Sequence, residues 1–569
     1  MPIYNEDRSI IIVFNGEIYN FHHLRERLVA AGHGFYTNSD TETIVHGYEE
    51  WGTGVVERLN GMFAFALWDS KQQRLLLARD RTGIKPLYYA ELDGTLVFGS
   101  ELKTIVTYQG FERRINRAAL DAYLTFEYVP TPLAIFEGVH KLPPGHLLVW
   151  QDGQCHMEEY WDLHLESSEE STARSERQHT EELRQALLEA VEMEMIADVP
   201  VGVLLSGGID SSTVAAMMSR VAPGRVSSFS ISMEDKSFDE SNYAALVARH
   251  LGTQHRALLV TSQDLLNLVP DLGKIVDEPL ADSSIIPTTL LSRFVREHVK
   301  VALGGDGGDE LFAGYSTLQA HRLMAGFERV APRFIRKGML PWLAQRLPTS
   351  FDNISLDFKL KRFASGVDLP AALRHQKWLG SFTTQQKHTV LQPEYRRAEA
   401  DTFAIVHEKL ADCKADHLLN RVLYQDMKMY LEGDILPKVD RASMSASLEV
   451  RVPLLNSLML DFAARLPHRY KLHGLTTKYL LRQAAADELP PEILKRGKKG
   501  FNIPVAKWIA GPLLEFTRDL LHPDRITREG IFNASAVETL LDEHLARKRD
   551  HRKLLWTLLT FEMWYNEWV

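Results

Sequence analysis

Two glycine-rich turns carry the residue types best suited to chemistry: Ser206-Gly207-Gly208-Ile209-Asp210-Ser211-Ser212 and Gly304-Gly305-Asp306-Gly307-Gly308-Asp309-Glu310. The first follows the apolar run Val201 to Leu205 and precedes a helical stretch, so its backbone N–H groups are expected to face an anion beside a helix N-terminus. Gly207 and Gly208 let the backbone approach phosphate oxygens, and the hydroxyls of Ser206, Ser211 and Ser212 add donors. A carboxylate in such a nest repels phosphate unless a divalent cation bridges them. Asp210, and Asp309 from the second turn, are therefore read as Mg²⁺ ligands. The pattern is not the Walker type, because it lacks the Gly-Lys-Ser/Thr ending. The second turn also follows an apolar run, Val299 to Leu303, which predicts both turns at the carboxyl ends of neighbouring strands, where open α/β sheets bind ligands.

The elements that must hold these turns alternate. From Glu181 the sequence predicts a helix to Ile196, then strands over 199–205, 225–233, 255–260 and 299–305, with helices over 211–220 and 240–251 between them. Such alternation predicts a parallel, doubly wound sheet, with a mostly helical continuation after 315. Residues 1–162 read instead as a sheet-rich domain with strands at Ser9 to Phe14, Met62 to Trp68, Arg74 to Ala78, Pro86 to Ala90 and Thr95 to Phe98. Helices are expected over Phe21 to Ala31 and Thr41 to Trp51, the second capped by Ser39 or Asp40. Residues 163–180, with Glu166-Ser167-Ser168-Glu169-Glu170-Ser171, read as an exposed linker, leaving 181–569 as the second domain.

Bulk properties narrow the function. At 569 residues more than one domain is expected. A formal charge of −10 gives no global field for nucleic acid. Cys155 and Cys413 are the only cysteines, too few for a disulfide framework or a cysteine zinc site. No apolar run of about 18 residues and no signal peptide appear, so a cytoplasmic enzyme without a membrane segment is expected. The run Arg547 to Lys553 reads as a solvated helix face, and the aromatic residues Phe561, Trp564, Tyr565 and Trp568 as a packed helix.

With these residues in view the chain resembles the glutamine-dependent asparagine synthetase family of class II amidotransferases. Gly304 to Tyr315, Asp440-Arg441-Ala442-Ser443-Met444, Glu449-Val450-Arg451-Val452-Pro453 and Lys498-Lys499-Gly500-Phe501 match its synthetase segments in order. Asn15 to Asn20, Ser39 to Glu42, Ala78 to Arg81 and Gly99 to Lys103 match its glutaminase domain. The resemblance implies an α+β N-terminal-nucleophile glutaminase domain followed by an α/β adenine-nucleotide-binding synthetase domain with a helical C-terminal part. It implies two steps: ATP adenylates a carboxylate, aspartate in the family, with release of pyrophosphate, and ammonia then displaces AMP.

By the same resemblance Leu205, Ile231, Gly304 and Gly305 join the turn residues around ATP, and Asp306 takes the place of an acidic residue that guides the intermediate. Lys498 supplies a cation; on its own residues alone, Arg496-Gly497-Lys498-Lys499 reads as a solvated basic loop. Asn15 and Gly16 correspond to the oxyanion pair, Glu17 and Asp40 to the grip on the glutamine amine. Asn456 stands where the family commonly has aspartate, which puts any charge role there in doubt.

Relative to the family pattern, roughly 55 to 60 residues are missing before Met1-Pro2, among them the nucleophilic cysteine. The expectation from this is that the chain as written does not hydrolyse glutamine and that its first sheet has an unpaired edge. Expected partners are small molecules, namely a carboxylate and glutamine or ammonia, with a homodimer left open. Three alternatives stay beside asparagine synthesis. They are amidation of another carboxylate such as a polysaccharide or cell-surface component, since Asn15 to Asn20 and Leu290 to Tyr315 are similar to the exosortase-associated amidotransferase branch, a β-lactam-synthetase-like cyclisation, and a nucleotide-binding pseudo-enzyme.

Overall fold

A computed structural model describes residues 2–165, 173–347, 356–415, 417–498, 500 and 503–569. The Glu166 to Ser171 segment of the expected linker, and Lys499 and Phe501, lie outside the described residues.

The N-terminal part is built on a six-stranded antiparallel sheet and a three-stranded one. The first contains β1 (Ile3–Tyr4), β2 (Ile10–Ile18), β3 (Gly61–Asp69), β4 (Arg74–Arg79), β8 (His146–Gln151) and β9 (Gln154–Glu159) in that spatial order. The second contains β5 (Tyr88–Leu92) between β6 (Thr95–Gly99) and β7 (Val139–Lys141). The edge expected to be unpaired is partly covered, because β1 pairs with Ile11 and Ile12 of β2. β2 also runs further than its apolar segment predicts: Asn15, Gly16 and Glu17 continue the ladder opposite Ala64, Phe63 and Met62. Gly16 is required there, because a Cβ would fall 2.0 Å from the Met62 carbonyl oxygen. The helix Asp40–Trp51 is capped by Ser39, whose hydroxyl accepts from the Thr41 N–H.

The second part is a five-stranded parallel sheet with the order β12 (Gln254–Val260), β11 (Ser227–Met233), β10 (Val201–Leu204), β13 (Val301–Leu303), β14 (Glu449–Arg451). Chain order reverses between β10 and β13, so the crevice beyond their carboxyl ends is the topological switch point of a doubly wound sheet. Both faces are covered. Ala302 and Val450 point into one buried cluster with Phe229 and Ile231, while Leu303, Val203 and Val452 point into the other, as the two-residue period of a strand requires. β14 is a strand that the sequence reading does not anticipate.

Two expectations about the linker change. Leu163 and Leu165 are buried in the core of the second part, and the helix begins at Glu176 rather than 181. The reason is a capping box: Ser175 accepts from the Gln178 N–H while Gln178 reaches back to the Ser175 N–H. The basic run is also corrected. Arg547 to Asp550 lie between the helices Ala534–Leu545 and Arg552–Trp568 rather than on a helix face. Lys553 turns inward, 2.7 Å from Glu127. Phe561 and Trp564 are wholly buried, and that last helix packs on the N-terminal part, where the Tyr123 hydroxyl donates to the Thr557 carbonyl at 2.8 Å.

The two parts share buried ion pairs. Arg79 lies 2.9 Å from Glu432 and Lys85 lies 3.1 Å from Asp440. Arg441 also reaches across, 3.5 Å from Glu101. A cavity of about 40 Å³ lies at this seam, lined by Arg79, Tyr88, Tyr128, Glu432 and Arg441 among others.

Candidate active site

The first turn leaves β10 at Leu204 and enters the helix Ile209–Val221, whose first turn contains Asp210. Its hydroxyls brace the loop: Ser211 Oγ accepts from the Ser206 N–H at 3.2 Å and Ser206 Oγ accepts from the Gly208 N–H at 3.2 Å. The second turn leaves β13 and enters the short helix Gly308–Phe312. The turns touch so closely that a Cβ on Gly305 would fall 2.7 Å from the Ser211 nitrogen.

Leu205, Ser206, Asp210, Ser211, Ile231, Gly304, Gly305, Asp306, Asp309 and Lys498 line one cavity of about 320 Å³, within the range of small-molecule sites, about 300–1,000 Å³. Gly208 lines an adjoining cavity of about 60 Å³ with Lys478, Arg482 and Arg496. Gly207 lines neither, and its carbonyl accepts from Arg496 Nη1 at 2.8 Å.

The residue that joins these parts was missed in the sequence. Lys478, with a buried side chain, pairs with Asp210 and lies 2.5 Å from Asp309 Oδ1; Lys498 pairs with the other Asp309 oxygen. Burial opposes ionisation of Asp309, but Lys478 and Lys498 outweigh it and hold its carboxyl below the usual range. Burial wins at Asp210, whose carboxyl is pushed up against the pull of Lys478, with Asp309 adding to the rise. Burial likewise raises Asp306 against Lys438 and Lys498. Lys438 is itself 3.3 Å from Asp282 and is a second cation absent from the sequence reading.

The donor set fits Mg²⁺. Asp210 Oδ1 is buried and accepts no hydrogen bond among the described residues. It sits with Asp309 in a phosphate-sized cleft, and Mg²⁺ is commonly held by one or two carboxylates plus phosphate oxygens.

The four residues assigned to glutamine lie together in the N-terminal part, with their polar atoms engaged. Asn15 Nδ2 donates to Ser100 Oγ at 3.0 Å. Asp40 accepts from the Ile18 and Thr41 N–H groups at 2.9 and 2.7 Å. Glu17 lies 3.3 Å from Arg451 of β14, so it is an ion-pair partner across the two parts rather than a free carboxylate. Burial pushes its carboxyl up to about 7, with Arg451 opposing.

Comparison with known proteins gives the family. The asparagine synthase model matches residues 182–566, and the glutamine amidotransferase domain model matches residues 1–161. The chain belongs to the asparagine synthase family. It is 33% identical over 568 residues to asparagine synthetase [glutamine-hydrolyzing] 1 of Bacillus subtilis, covering 99% of this chain and 87% of the relative. It is 35% identical to a putative asparagine synthetase [glutamine-hydrolyzing] of Mycobacterium bovis, covering 98% and 84%. It is also 27% identical to the amidase chyE of Penicillium rubens, covering 96% and 85%. A solved glutamine phosphoribosylpyrophosphate amidotransferase from B. subtilis matches 46% of this chain and 63% of its own at 14% identity and a TM-score of 0.22, too low to speak to the fold.

A glutamine amidotransferase domain is thus followed by an asparagine synthase domain, in a family of ligase-type enzymes that amidate a carboxylate with ATP. The match over residues 1–161 does not support the expectation that the glutaminase step is absent. No helix among the described residues is long and apolar enough to cross a membrane.

Asn456 has a structural account in place of the doubted charge role. It is buried, caps the helix Ser457–Arg465 by accepting from the Leu458 N–H, and donates to Glu194 Oε1 at 3.2 Å. An aspartate would bring a second carboxylate against Glu194. Burial pushes Glu194 up to about 8, with Asn456 and Arg451 opposing. Since its ordinary value is 4.5, the folded chain holds a proton between pH 4.5 and about 8 that the unfolded chain has released, and stability falls as pH rises through that window. Glu194→Gln is therefore expected to raise the thermal midpoint more at pH 8 than at pH 5. Equal shifts at both pH values would show that Glu194 does not titrate in this way.

Proposed function

We propose that the chain is an asparagine synthetase: it adenylates the side-chain carboxylate of aspartate with ATP, releasing pyrophosphate, and amidates the product with ammonia drawn from glutamine. The observation that carries this reading is the meeting of the two glycine turns at the switch point, with two aspartates and two lysines around one cleft.

In this reading a carboxylate oxygen of aspartate attacks the α-phosphorus and the bond to the β-phosphate breaks. Ser206, Gly207, Gly208 and Ser211 cradle the leaving pyrophosphate, and Leu205, Ile231, Gly304 and Gly305 border the nucleotide. Asp210 and Asp309 would hold Mg²⁺, which when bound supplies neutralising charge for the phosphates. Lys498 and Lys478 add positive charge where pyrophosphate charge builds up. Asp306 orients the reacting carboxylate. Ammonia then forms the C–N bond, AMP departs and a proton is lost from nitrogen. Asn15 and Gly16 serve as oxyanion donors, and Glu17 and Asp40 as the grip on glutamine, in the step that supplies ammonia.

Relatives named asparagine synthetase at 33–35% identity favour aspartate as acceptor. The 27% match to a named amidase supports a second reading, amidation of a different carboxylate by the same cleft. Pyrophosphate release from MgATP, followed with ammonium and with glutamine, tests both. Aspartate-dependent release that yields asparagine supports the first. Release stimulated only by another carboxylate supports the second, and release that no carboxylate stimulates contradicts both.

A further inference from the structure

Away from the cleft, two histidines and a glutamate from three segments of the N-terminal part turn toward one point, with a second glutamate beside the histidines. Glu6 lies in the loop between β1 and β2, His33 follows the helix Phe21–Ala30, and His46 and Glu49 lie one turn apart on the helix Asp40–Trp51. His46 Nδ1 is 3.6 Å from Glu6 Oε2 and 2.8 Å from Glu49 Oε2, and His33 Nδ1 is 3.6 Å from Glu49 Oε2. Ligand atoms of Glu6, His33 and His46 all lie within 4.8 Å of one another. The edge of a tetrahedron around zinc, with bonds of about 2.0–2.1 Å, is about 3.4 Å.

The far atom of each group is engaged outside this point. Glu6 Oε1 accepts from the Gly34 N–H at 2.9 Å and Glu49 Oε1 accepts from Asn5 Nδ2 at 2.8 Å. Each carboxylate thereby presents one oxygen inward. His46 Nε2 faces Glu42 Oε1 at 3.4 Å, and His33 Nε2 faces Glu50 Oε2 at 3.4 Å. A carboxylate on the remote nitrogen is the arrangement that orients metal-bound imidazoles. His46 is fully buried while Glu6 is about half exposed, at 48%, so the point is anchored from below and open to solvent from above.

We propose that Glu6, His33 and His46 supply the three protein ligands of a four-coordinate site for a divalent transition-metal ion of the zinc class, with water in the fourth position and Glu49 beside it. Two imidazoles with a carboxylate suit such a borderline ion better than Mg²⁺ or Ca²⁺, which prefer all-oxygen sets. An ion there pins the segment before β2 to the helix that begins at Asp40. That helix start in turn holds the Ile18 N–H at the end of the strand containing Asn15, Gly16 and Glu17. The site is thus a structural clamp on the glutamine amidotransferase domain, separate from the cleft at Asp210 and Asp309.

Titration of the chelator-treated full chain with Co²⁺ tests this, because a four-coordinate Co²⁺ site has a strong visible band that an all-oxygen six-coordinate site lacks. One equivalent is expected to give the band, and Zn²⁺ to abolish it by displacement. Glu6→Gln and His33→Gln, both at solvent-accessible positions, are expected to weaken binding by at least about tenfold, with circular dichroism unchanged, while Asp309→Asn keeps the band. Absence of the band in the unmodified chain, or affinity in both variants equal to that of the unmodified chain, overturns the proposal.

Discussion

Lys498→Ala is expected to lower kcat for acceptor-dependent pyrophosphate release by about 10²–10³-fold, the range seen when a single preorganised group facing developing charge is removed. Lys498 is the cation that faces the cleft from a loop, and its partner is an aspartate whose other oxygen already meets Lys478. Burial works against its charge, yet Asp309 and Asp210 outweigh it and keep the ammonium protonated well above neutral pH. The alanine variant therefore loses charge where pyrophosphate leaves while Lys478 still pairs both carboxylates. Lys495→Ala, an exposed lysine three positions away, is expected to stay near the parent rate. Equal effects of the two substitutions, measured as initial rates at saturating MgATP, would return Lys498 to the solvated loop suggested by its neighbours in sequence.

Arg79→Ala is expected to destabilise the chain by about 3–5 kcal/mol, the usual consequence of leaving a buried charge without its partner. Both members of the Arg79–Glu432 pair are only 3% exposed. The guanidinium also donates to the carbonyls of Gly83, Lys85 and Leu142 at 3.0, 2.8 and 2.8 Å. Burial alone would raise the Glu432 carboxyl, but Arg79 and Lys141 hold it below the usual range, so the variant leaves an anion at the seam with less compensation. The variant Arg79→Ala with Glu432→Gln is expected to lose less than the sum of the single changes, as coupled partners do. Denaturant unfolding measures both. A loss below about 1 kcal/mol, the scale of an exposed pair, would mean that the seam is hydrated and that the two parts are less tightly joined.

The parts of this architecture that were legible in the sequence are those fixed by local pattern. Val201 to Leu205 followed by Ser206-Gly207-Gly208 specifies strand, turn and helix within a few residues, and the same holds at Val299 to Gly308. Contributions from distant segments were not legible. Lys478 approaches Asp210 across 268 positions, and nothing in Thr476-Thr477-Lys478 separates it from any surface lysine. Strand β14 has only three residues, two of them charged, so it carries no alternation; it becomes a strand because Val301 to Leu303 offer it an open edge. The ion pair of Glu17 with Arg451, which lies on that same strand, was not legible for the same reason. Asn456 was read as a missing charge because Glu194, the group that makes an amide preferable, is far away in sequence. Ser175, by contrast, was a readable cap inside a stretch whose Ser and Glu content drew it into the linker.

The central claim is that the cleft between the two turns activates a carboxylate as its adenylate. The most direct measurement supplies aspartate labelled with ¹⁸O in its carboxylates, together with MgATP and ammonium, and reads the isotope in the nucleotide product by mass spectrometry. Attack of a carboxylate oxygen on the α-phosphorus, followed by displacement of AMP by ammonia, leaves that oxygen on phosphorus, so the predicted product is AMP carrying one ¹⁸O. Formation of ADP with labelled inorganic phosphate, or of unlabelled AMP alongside amide, would contradict the account.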